Sequence, residues 1–131
     1  MTNVKTYLMF QGDAQQAVDL YLSIFKDFTV RIIERYGKDE PVAKGAFKVA
    51  KASLAGHEFI IFDSPPMHDF SFTPSISITV DFDIADELET AFARLSEGGK
   101  VMMPLDDYGF SKRYSWIADR FGVSWQLNLP Q

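Results

Sequence analysis

The stretch at residues 108–129, YGFSKRYSWIADRFGVSWQLNL, decides the fold of this chain. Residues 116–118 and 123–127 within it are rich in the β-branched and aromatic side chains that favour strands. Residues 119–122 separate them and end in a glycine, which allows the positive φ that tight turns often need. The stretch therefore predicts strand, turn, strand. Residues 55–63, AGHEFIIFD, have the same layout of a glycine followed by an aromatic-rich strand.

Length and composition limit the class of protein. The chain has 131 residues, a net charge of -5 and no Lys/Arg cluster, which indicates one domain and argues against nucleic acid or an anionic membrane surface as partner. It has no cysteine, so disulfides and thiol chemistry are excluded. No signal peptide is recognisable, and no run approaches the roughly 20 apolar residues of a membrane span. We expect a cytoplasmic protein, and its aromatic content of 15% predicts that some rings line a pocket.

The first half predicts one helix among four strands. The strands are expected at residues 4–10, 28–36, 46–54 and 58–62. Asp13 is the predicted N-cap of the helix. The apolar stripe of that helix follows the i, i+3, i+4, i+7, i+8 spacing and consists of Ala17, Val18, Tyr21, Leu22 and Phe25.

The second half repeats this pattern. We expect strands at residues 75–80, 100–103, 114–118 and 123–129, with Pro104 closing the second of them. Asp83 is the predicted N-cap of a helix at residues 84–95, which should bury Leu88, Ala91, Phe92 and Leu95.

The two halves align with each other. A shift of 70 residues places Asp13 on Asp83 and the first apolar stripe on the second without a gap. Near the end the shift becomes 66 and places Ile60 on Gln126. Internal repeats of this kind determine the whole fold.

The chain is thus predicted to be a single α+β domain, residues 1–131, made of two βαβββ modules at residues 1–63 and 74–131 with a linker at 64–73. Two such sheets facing each other would form a cup with the helices outside and a cavity inside. A ferredoxin-like sandwich is the alternative, but it has only two strands and one helix in each half.

Three segments resemble the PhnB-like group of the vicinal-oxygen-chelate superfamily, also called glyoxalase/bleomycin-resistance/dioxygenase. They are TYLMFQGDAQQAVDLYLSIF at residues 6–25, FIIFDSP at 59–65 and SKRYSWIADRFGVSWQLN at 111–128. Two residues depart from the usual pattern, since Arg120 replaces a proline and Val123 replaces a His or Asn. Some members bear the name 3-demethylubiquinone methyltransferase. This chain lacks the Gly-rich strand-to-helix turn that cradles an adenosine cofactor.

The resemblance implies four positions for a divalent metal, on the first and last strands of each module. Enzymes of the superfamily place His, Glu or Gln there because these side chains replace water on the ion. The matching positions in this chain are Thr6 or Tyr7, Ile60, Ile76 or Ser77, and Gln126. Only Gln126 offers a ligand, so we expect no metal cofactor. If a divalent metal is held, Gln126 and the linker residue His68 are the candidates, whereas His57 is interpreted as a turn residue.

The candidates for ligand binding are Gln126, Arg113, Tyr108, Trp116 and Tyr7. Arg113 can hold a carboxylate or phosphate, and the rings can stack on a planar group. The alternatives are that Trp116 and Trp125 belong to the core, with their N–H groups bonded to backbone, and that Arg113 pairs with Asp107.

The preferred function is binding of a small molecule in the cup without a metal. The alternatives are a metal-dependent lyase, isomerase or dioxygenase, and a structural or regulatory dimer with a vestigial cavity. The resemblance also implies a homodimer.

Overall fold

The computed structural model describes residues 1–131, which divide into two compact units, Met1–Asp69 and Phe70–Gln131. Each unit contains one four-stranded sheet and one helix, in the order βαβββ. The predicted α+β class with two such modules is therefore confirmed. Neither helix combines the length and the apolar character that crossing a bilayer requires.

The first unit begins with β1 and α1 and continues with three strands. Its elements are β1 (Thr6–Phe10), α1 (Ala14–Ile24), β2 (Phe28–Arg35), β3 (Phe47–Leu54) and β4 (His57–Asp63). The strand order is β1-β4-β3-β2, in which β1 is parallel to β4 and the other neighbours are antiparallel.

Helix α1 packs on one face of this sheet. Ala17, Val18 and Tyr21 of the predicted stripe are buried, and the Tyr21 ring meets the Phe28 ring of β2 edge-on at 5.8 Å. Leu20 is buried while Leu22 is exposed, so the prediction for Leu22 was wrong. The helix is rotated slightly from the predicted stripe, because the apolar side chain of Leu20 joins the buried face instead.

The second unit repeats this architecture. Its elements are β5 (Ile78–Asp81), α2 (Ala85–Ser96), β6 (Lys100–Asp106), β7 (Arg113–Ala118) and β8 (Ser124–Leu129), in the sheet order β5-β8-β7-β6. Strand β5 starts later than predicted. Strand β6 continues through Pro104, which was expected to end it. Strand β6 lies at the edge of the sheet, where a residue without a backbone N–H is tolerated.

The predicted N-cap position is right for α1 and wrong for α2, and neither helix is capped by the expected side chain. Asp13 occupies the N-cap position of α1, but its side chain makes no capping hydrogen bond, and the N-cap of α2 is Ile84 rather than Asp83. At α1 the cap comes from β4 instead. The buried carboxylate of Asp63 accepts hydrogen bonds from the N–H groups of Gly12 (2.9 Å) and Ala14 (3.0 Å) with Oδ1, and from Phe47 (2.9 Å) with Oδ2.

Asp119, in the turn between β7 and β8, is a second carboxylate that accepts several hydrogen bonds. Its Oδ1 accepts hydrogen bonds from the N–H groups of Phe121 (2.9 Å) and Val123 (3.1 Å), and its Oδ2 accepts one from Nε1 of Trp125 (2.9 Å). A short Asp side chain bonding to the backbone two and four residues later is the mechanism of an Asx turn. This buried carboxylate fixes the turn that presents β8.

Candidate ligand-binding site

Gln126 lies on the face of the second sheet that is turned away from α2, here called the open face. Its neighbours Trp125 and Leu127 are buried on the α2 side, and successive residues of a strand point to opposite faces. Directly opposite Gln126 are Trp116 on β7 and Thr79 on β5. The open face of this sheet therefore carries polar and aromatic side chains around a central amide.

A chain of hydrogen bonds holds that amide. The Tyr114 hydroxyl donates to Oε1 of Gln126 (2.6 Å), and Nε2 of Gln126 donates to Oγ of Ser77 (3.3 Å). Ser77 and Ser124 are joined through their hydroxyls (2.6 Å), and Nε1 of Trp116 donates to Oγ of Ser124 (2.9 Å). We call these five residues the Gln126 network. Because both ends of the amide are bonded, its orientation is fixed.

Two further rings extend the network toward the loop between β6 and β7. Phe110 meets the Tyr114 ring edge-on at 4.9 Å, and Tyr108 does so at 5.8 Å. Tyr108 is anchored by its hydroxyl, which donates to the Pro104 carbonyl (2.6 Å). Phe110 remains 60% exposed, so much of its surface is open to a ligand.

Tyr114 remains a hydrogen-bond donor over a wide pH range. Burial, and secondarily the charge of Tyr108, raises the pKa of the Tyr114 hydroxyl above its ordinary value. Burial acts this way because it disfavours the phenolate. The proton that bonds to Gln126 is therefore retained in neutral and mildly alkaline solution.

Arg113 lies on the opposite face of the same sheet. It is an odd number of residues from Trp116 along β7, and its guanidinium pairs with Glu89 of α2 at 3.3 Å. The alternative prediction that Arg113 pairs with Asp107 was wrong, because the Arg113 side chain points toward α2. The structure thus does not bring Arg113 to Gln126. Trp125 belongs to the core, as the alternative prediction stated, whereas Trp116 is only half-buried. The indole N–H groups of both residues donate to side chains, whereas that alternative had expected them to donate to the backbone.

The remaining candidates belong to the first unit. Tyr7 lies opposite Ile60 on the open face of the first sheet, which is the face away from α1, and its ring meets that of Phe62 edge-on at 5.0 Å. His57 bonds through Nε2 to the Thr6 hydroxyl (2.9 Å). The backbone N–H of His68 donates to Oε1 of Gln11 (3.1 Å).

The residues at the implied metal positions do not fit a divalent ion. The residue opposite Gln126 on β5 is Thr79, whereas Ser77, one of the two implied positions on this strand, accepts a hydrogen bond from Gln126. Thr79, Tyr7 and Ile60 supply a hydroxyl, a phenol and a hydrocarbon, whereas divalent metals such as Zn²⁺ are held mainly by imidazole, carboxylate and thiolate groups. The Gln126 oxygen already accepts a hydrogen bond, and nowhere do three His, Cys, Asp or Glu side chains cluster in a way suited to a metal.

Sequence reasoning missed Ser124 and Asp119. Ser124 is two residues before Gln126, and the alternation of strand residues places both on one face, which is a signal that the sequence does contain. Asp119 has the signal of an aspartate three residues before a glycine in a turn. Its bond to the Trp125 indole depends on the turn closing and has no such local signal.

The fold is that of the glyoxalase/bleomycin-resistance class. The structure of a glyoxylase/bleomycin resistance protein/dioxygenase domain from Frankia sp. EAN1pec matches with a TM-score of 0.68 at 14% identity, covering 100% of this chain and 99% of that one. At this identity the likeness shows the fold alone.

The family follows from closer matches. The family model described as 3-demethylubiquinone-9 3-methyltransferase matches residues 2–128, and the chain belongs to this family, which confirms the resemblance to the PhnB-like group. The PhnB protein from Bacillus cereus is 39% identical with a TM-score of 0.92, covering 98% of this chain and 99% of that one. Protein YjdN of Escherichia coli (strain K12) is 24% identical over 80 residues, which are 61% of this chain and about half (54%) of YjdN.

Proposed function

We propose that this chain binds a small organic molecule on the open face of the second sheet, without a divalent metal. The observation that carries the proposal is the Gln126 network. It places a fixed amide, bonded at both ends to neutral hydroxyls, at the one implied metal position that bears a possible ligand. A site of this composition recognises a ligand through hydrogen bonds and ring contacts rather than through a cation.

The network still offers hydrogen-bonding capacity to a ligand. A Gln amide has two N–H donors and two oxygen lone pairs, and Gln126 uses one of each within the network. The remaining N–H and lone pair fit a ligand that carries both an acceptor and a donor. The exposed rings of Phe110 and Tyr108 add an aromatic contact, which typically contributes about 0.5–1.5 kcal/mol beyond the area buried.

Binding of an aromatic probe tests the proposal. We expect the fluorescent probe 1-anilinonaphthalene-8-sulfonate to bind the folded protein, and Phe110→Ala to weaken that binding about fivefold or more. Phe70→Ala is the matched control, because Phe70 is 58% exposed and Phe110 is 60% exposed. The measurement is a fluorescence titration of each variant, after circular dichroism has shown that it is folded. An equal effect of the two substitutions would mean non-specific adsorption to exposed rings and would refute the site.

A metal-dependent lyase, isomerase or dioxygenase is the competing function. Elemental analysis of the purified protein separates the two. We expect no stoichiometric metal. Zn, Fe, Mn or Ni at one ion per chain, lost in Gln126→Ala, would overturn the proposal in favour of the metal enzyme.

The proposal does not include methyl transfer, despite the description of the family. The two strand-to-helix turns, at residues 11–13 and 82–84, have the sequences QGD and FDI. Neither has the run of glycines that lets a backbone approach a nucleotide cofactor. A rise in melting temperature with S-adenosylmethionine, but not with adenosine alone, would contradict this.

We also propose that two copies of the chain associate. The resemblance suggests it, and several large apolar side chains are exposed, among them Val4, Ile33, Ile76 and Val101. Light scattering coupled to size-exclusion chromatography should give twice the chain mass of 14.9 kDa.

A further inference from the structure

The open face of the first sheet contains a basic pocket. Its volume is about 510 Å³, within the range of about 300–1,000 Å³ that is typical of small-molecule sites. Three cations, Lys5, Arg31 and Lys51, line it together with the single carboxylate of Glu58. The hydroxyl residues Thr29 and Ser53 lie in the adjoining row of the sheet. The lining therefore carries a formal charge of +2, in a chain whose net charge is -5.

Two of these cations oppose each other directly. Arg31 on β2 and Lys51 on β3 are partners in the antiparallel register, and their side chains share one face. Like charges at directly opposed positions destabilise a sheet. The electrostatic energy of this pair is therefore unfavourable. An anion bound between the two side chains would make it favourable.

No carboxylate lies within ion-pairing distance of these cations. Neither Arg31 nor Lys51 forms an ion pair or a side-chain hydrogen bond, and the same is true of Lys5. The two other cations on the strands of this sheet do have partners. Lys48 pairs with Glu40 at 2.9 Å and with Glu34 at 3.6 Å, and Arg35 donates to the Gly45 carbonyl and to Gln15. The lack of partners is therefore a property of the pocket rather than of all cations on this sheet.

We infer that this pocket binds a small organic dianion, of the class of phosphate monoesters and short dicarboxylates. Two negative charges match the net charge of the lining. The planar fork of Arg31 suits two oxygens of one phosphate or carboxylate group, whereas Lys5 and Lys51 act as compact charges. Thr29 and Ser53 supply neutral donors, and Ile60 adds an apolar contact for the carbon part of the ligand.

This pocket and the Gln126 network have no residue in common. Its lining belongs to the first unit, whereas the network belongs to the second. The inference therefore goes beyond the proposed function, and either can fail alone.

Isothermal titration calorimetry at constant ionic strength tests the inference. The probes are phenyl phosphate and succinate, with sodium chloride as the ionic-strength control. We expect Lys51→Gln to weaken binding of the preferred probe about tenfold, the factor that corresponds to about 1.4 kcal/mol. Lys44→Gln removes the same charge from an exposed position outside the pocket and should stay within about twofold of the unaltered chain. The stronger of the two probes identifies the type of dianion.

A second measurement guards against a variant that fails to fold. Without probe, Lys51→Gln should melt at a higher temperature than the unaltered chain, because it removes the repulsion from Arg31. With phenyl phosphate or succinate, its melting temperature should rise less than that of the unaltered chain. The inference is overturned if neither probe binds more strongly than chloride, or if Lys44→Gln and Lys51→Gln weaken binding equally.

Discussion

The two sheets have the same strand order but carry different types of side chain on their open faces. In each sheet, four residues that are directly opposite one another on neighbouring strands form a row. The row of the first sheet contains Ile60, and the row of the second contains Gln126. In the first sheet the row reads Arg31, Lys51, Ile60, Tyr7, and in the second it reads Met103, Trp116, Gln126, Thr79. The first row is cationic and the second is hydrogen-bonding and aromatic. Residues of a strand alternate between faces, so an open face can change its chemistry while the helix-facing core stays apolar.

The helices show a second difference between the units. Helix α1 has no acidic residue in its first turn and receives the Asp63 carboxylate from β4, whereas α2 has Asp86 and Glu87 in its first turn and Arg94 in its last. Charges so placed complement the helix dipole. The first unit therefore depends on a long-range cap, and the second on local charge.

The largest expected effect tests this difference. Asp63→Ala leaves three backbone N–H groups without their acceptor in the interior and should lower the free energy of unfolding by about 4 kcal/mol. Asp86→Ala should cost only about 0.5 kcal/mol, because it removes a surface interaction with the helix dipole. Urea denaturation measures both. Similar losses would show that the two helices start in the same way.

A smaller effect tests the second row. Gln126→Leu should destabilise the protein by about 1–2 kcal/mol, because the part-buried Tyr114 hydroxyl loses its acceptor. Adding Tyr114→Phe should then cost less than Tyr114→Phe costs alone, since the partner is already gone. A double-mutant cycle from urea denaturation gives the coupling. Purely additive losses would mean that the network contributes nothing as a unit.

The first row is tested by reversing one charge. Arg31→Glu converts the like-charge pair with Lys51 into an opposite-charge pair and should stabilise the chain by about 0.5–1 kcal/mol at low salt. The gain should shrink as salt screens the pair. Met103→Glu, at the equivalent place beside Trp116, has no cation opposite and should bring no gain. Thermal denaturation at two ionic strengths compares them, and a gain that does not depend on salt would contradict the electrostatic reason.

The smallest effect is a pH dependence of the Gln126 network. The pKa of Tyr114 is raised by burial and, less, by Tyr108, so the folded chain keeps this proton to a higher pH than the unfolded chain. The stability linked to this proton is fully present below a pH of about 10 and is lost as pH rises through the folded-state pKa. Tyr114→Phe should flatten that decline. Tyrosinate absorbance between about pH 9 and pH 12 should show one late-titrating group fewer in the variant.

The order of helices and strands could be predicted because it depends on local pattern. Apolar spacing in α1 and α2 and alternation in the strands identified every element, with errors of a few residues at the ends of β1, β5 and β6. The error at β6 arose because an edge strand tolerates Pro104, whose local preference is to end a strand.

The candidate site was predictable only in part. Gln126 and Trp116 share the open face of the second sheet, as alternation implies, and Tyr108 contacts Tyr114 from the loop before β7. Arg113 belongs to the other face because its place in β7 is an odd number of residues from Trp116, and a shift of one residue in register reverses the face of a side chain.

The sequence by itself determined two βαβββ modules and the aromatic, cysteine-free composition of the chain. Only the tertiary structure decided which groups meet. The carboxylate that caps α1 is 49 residues from the amide it binds, and the two opposed cations of the basic pocket lie on different strands. Hydrophobic periodicity reports which face of an element is buried, because burial follows the local repeat of the backbone. It carries no information on which distant side chain arrives there, since that depends on strand order and register.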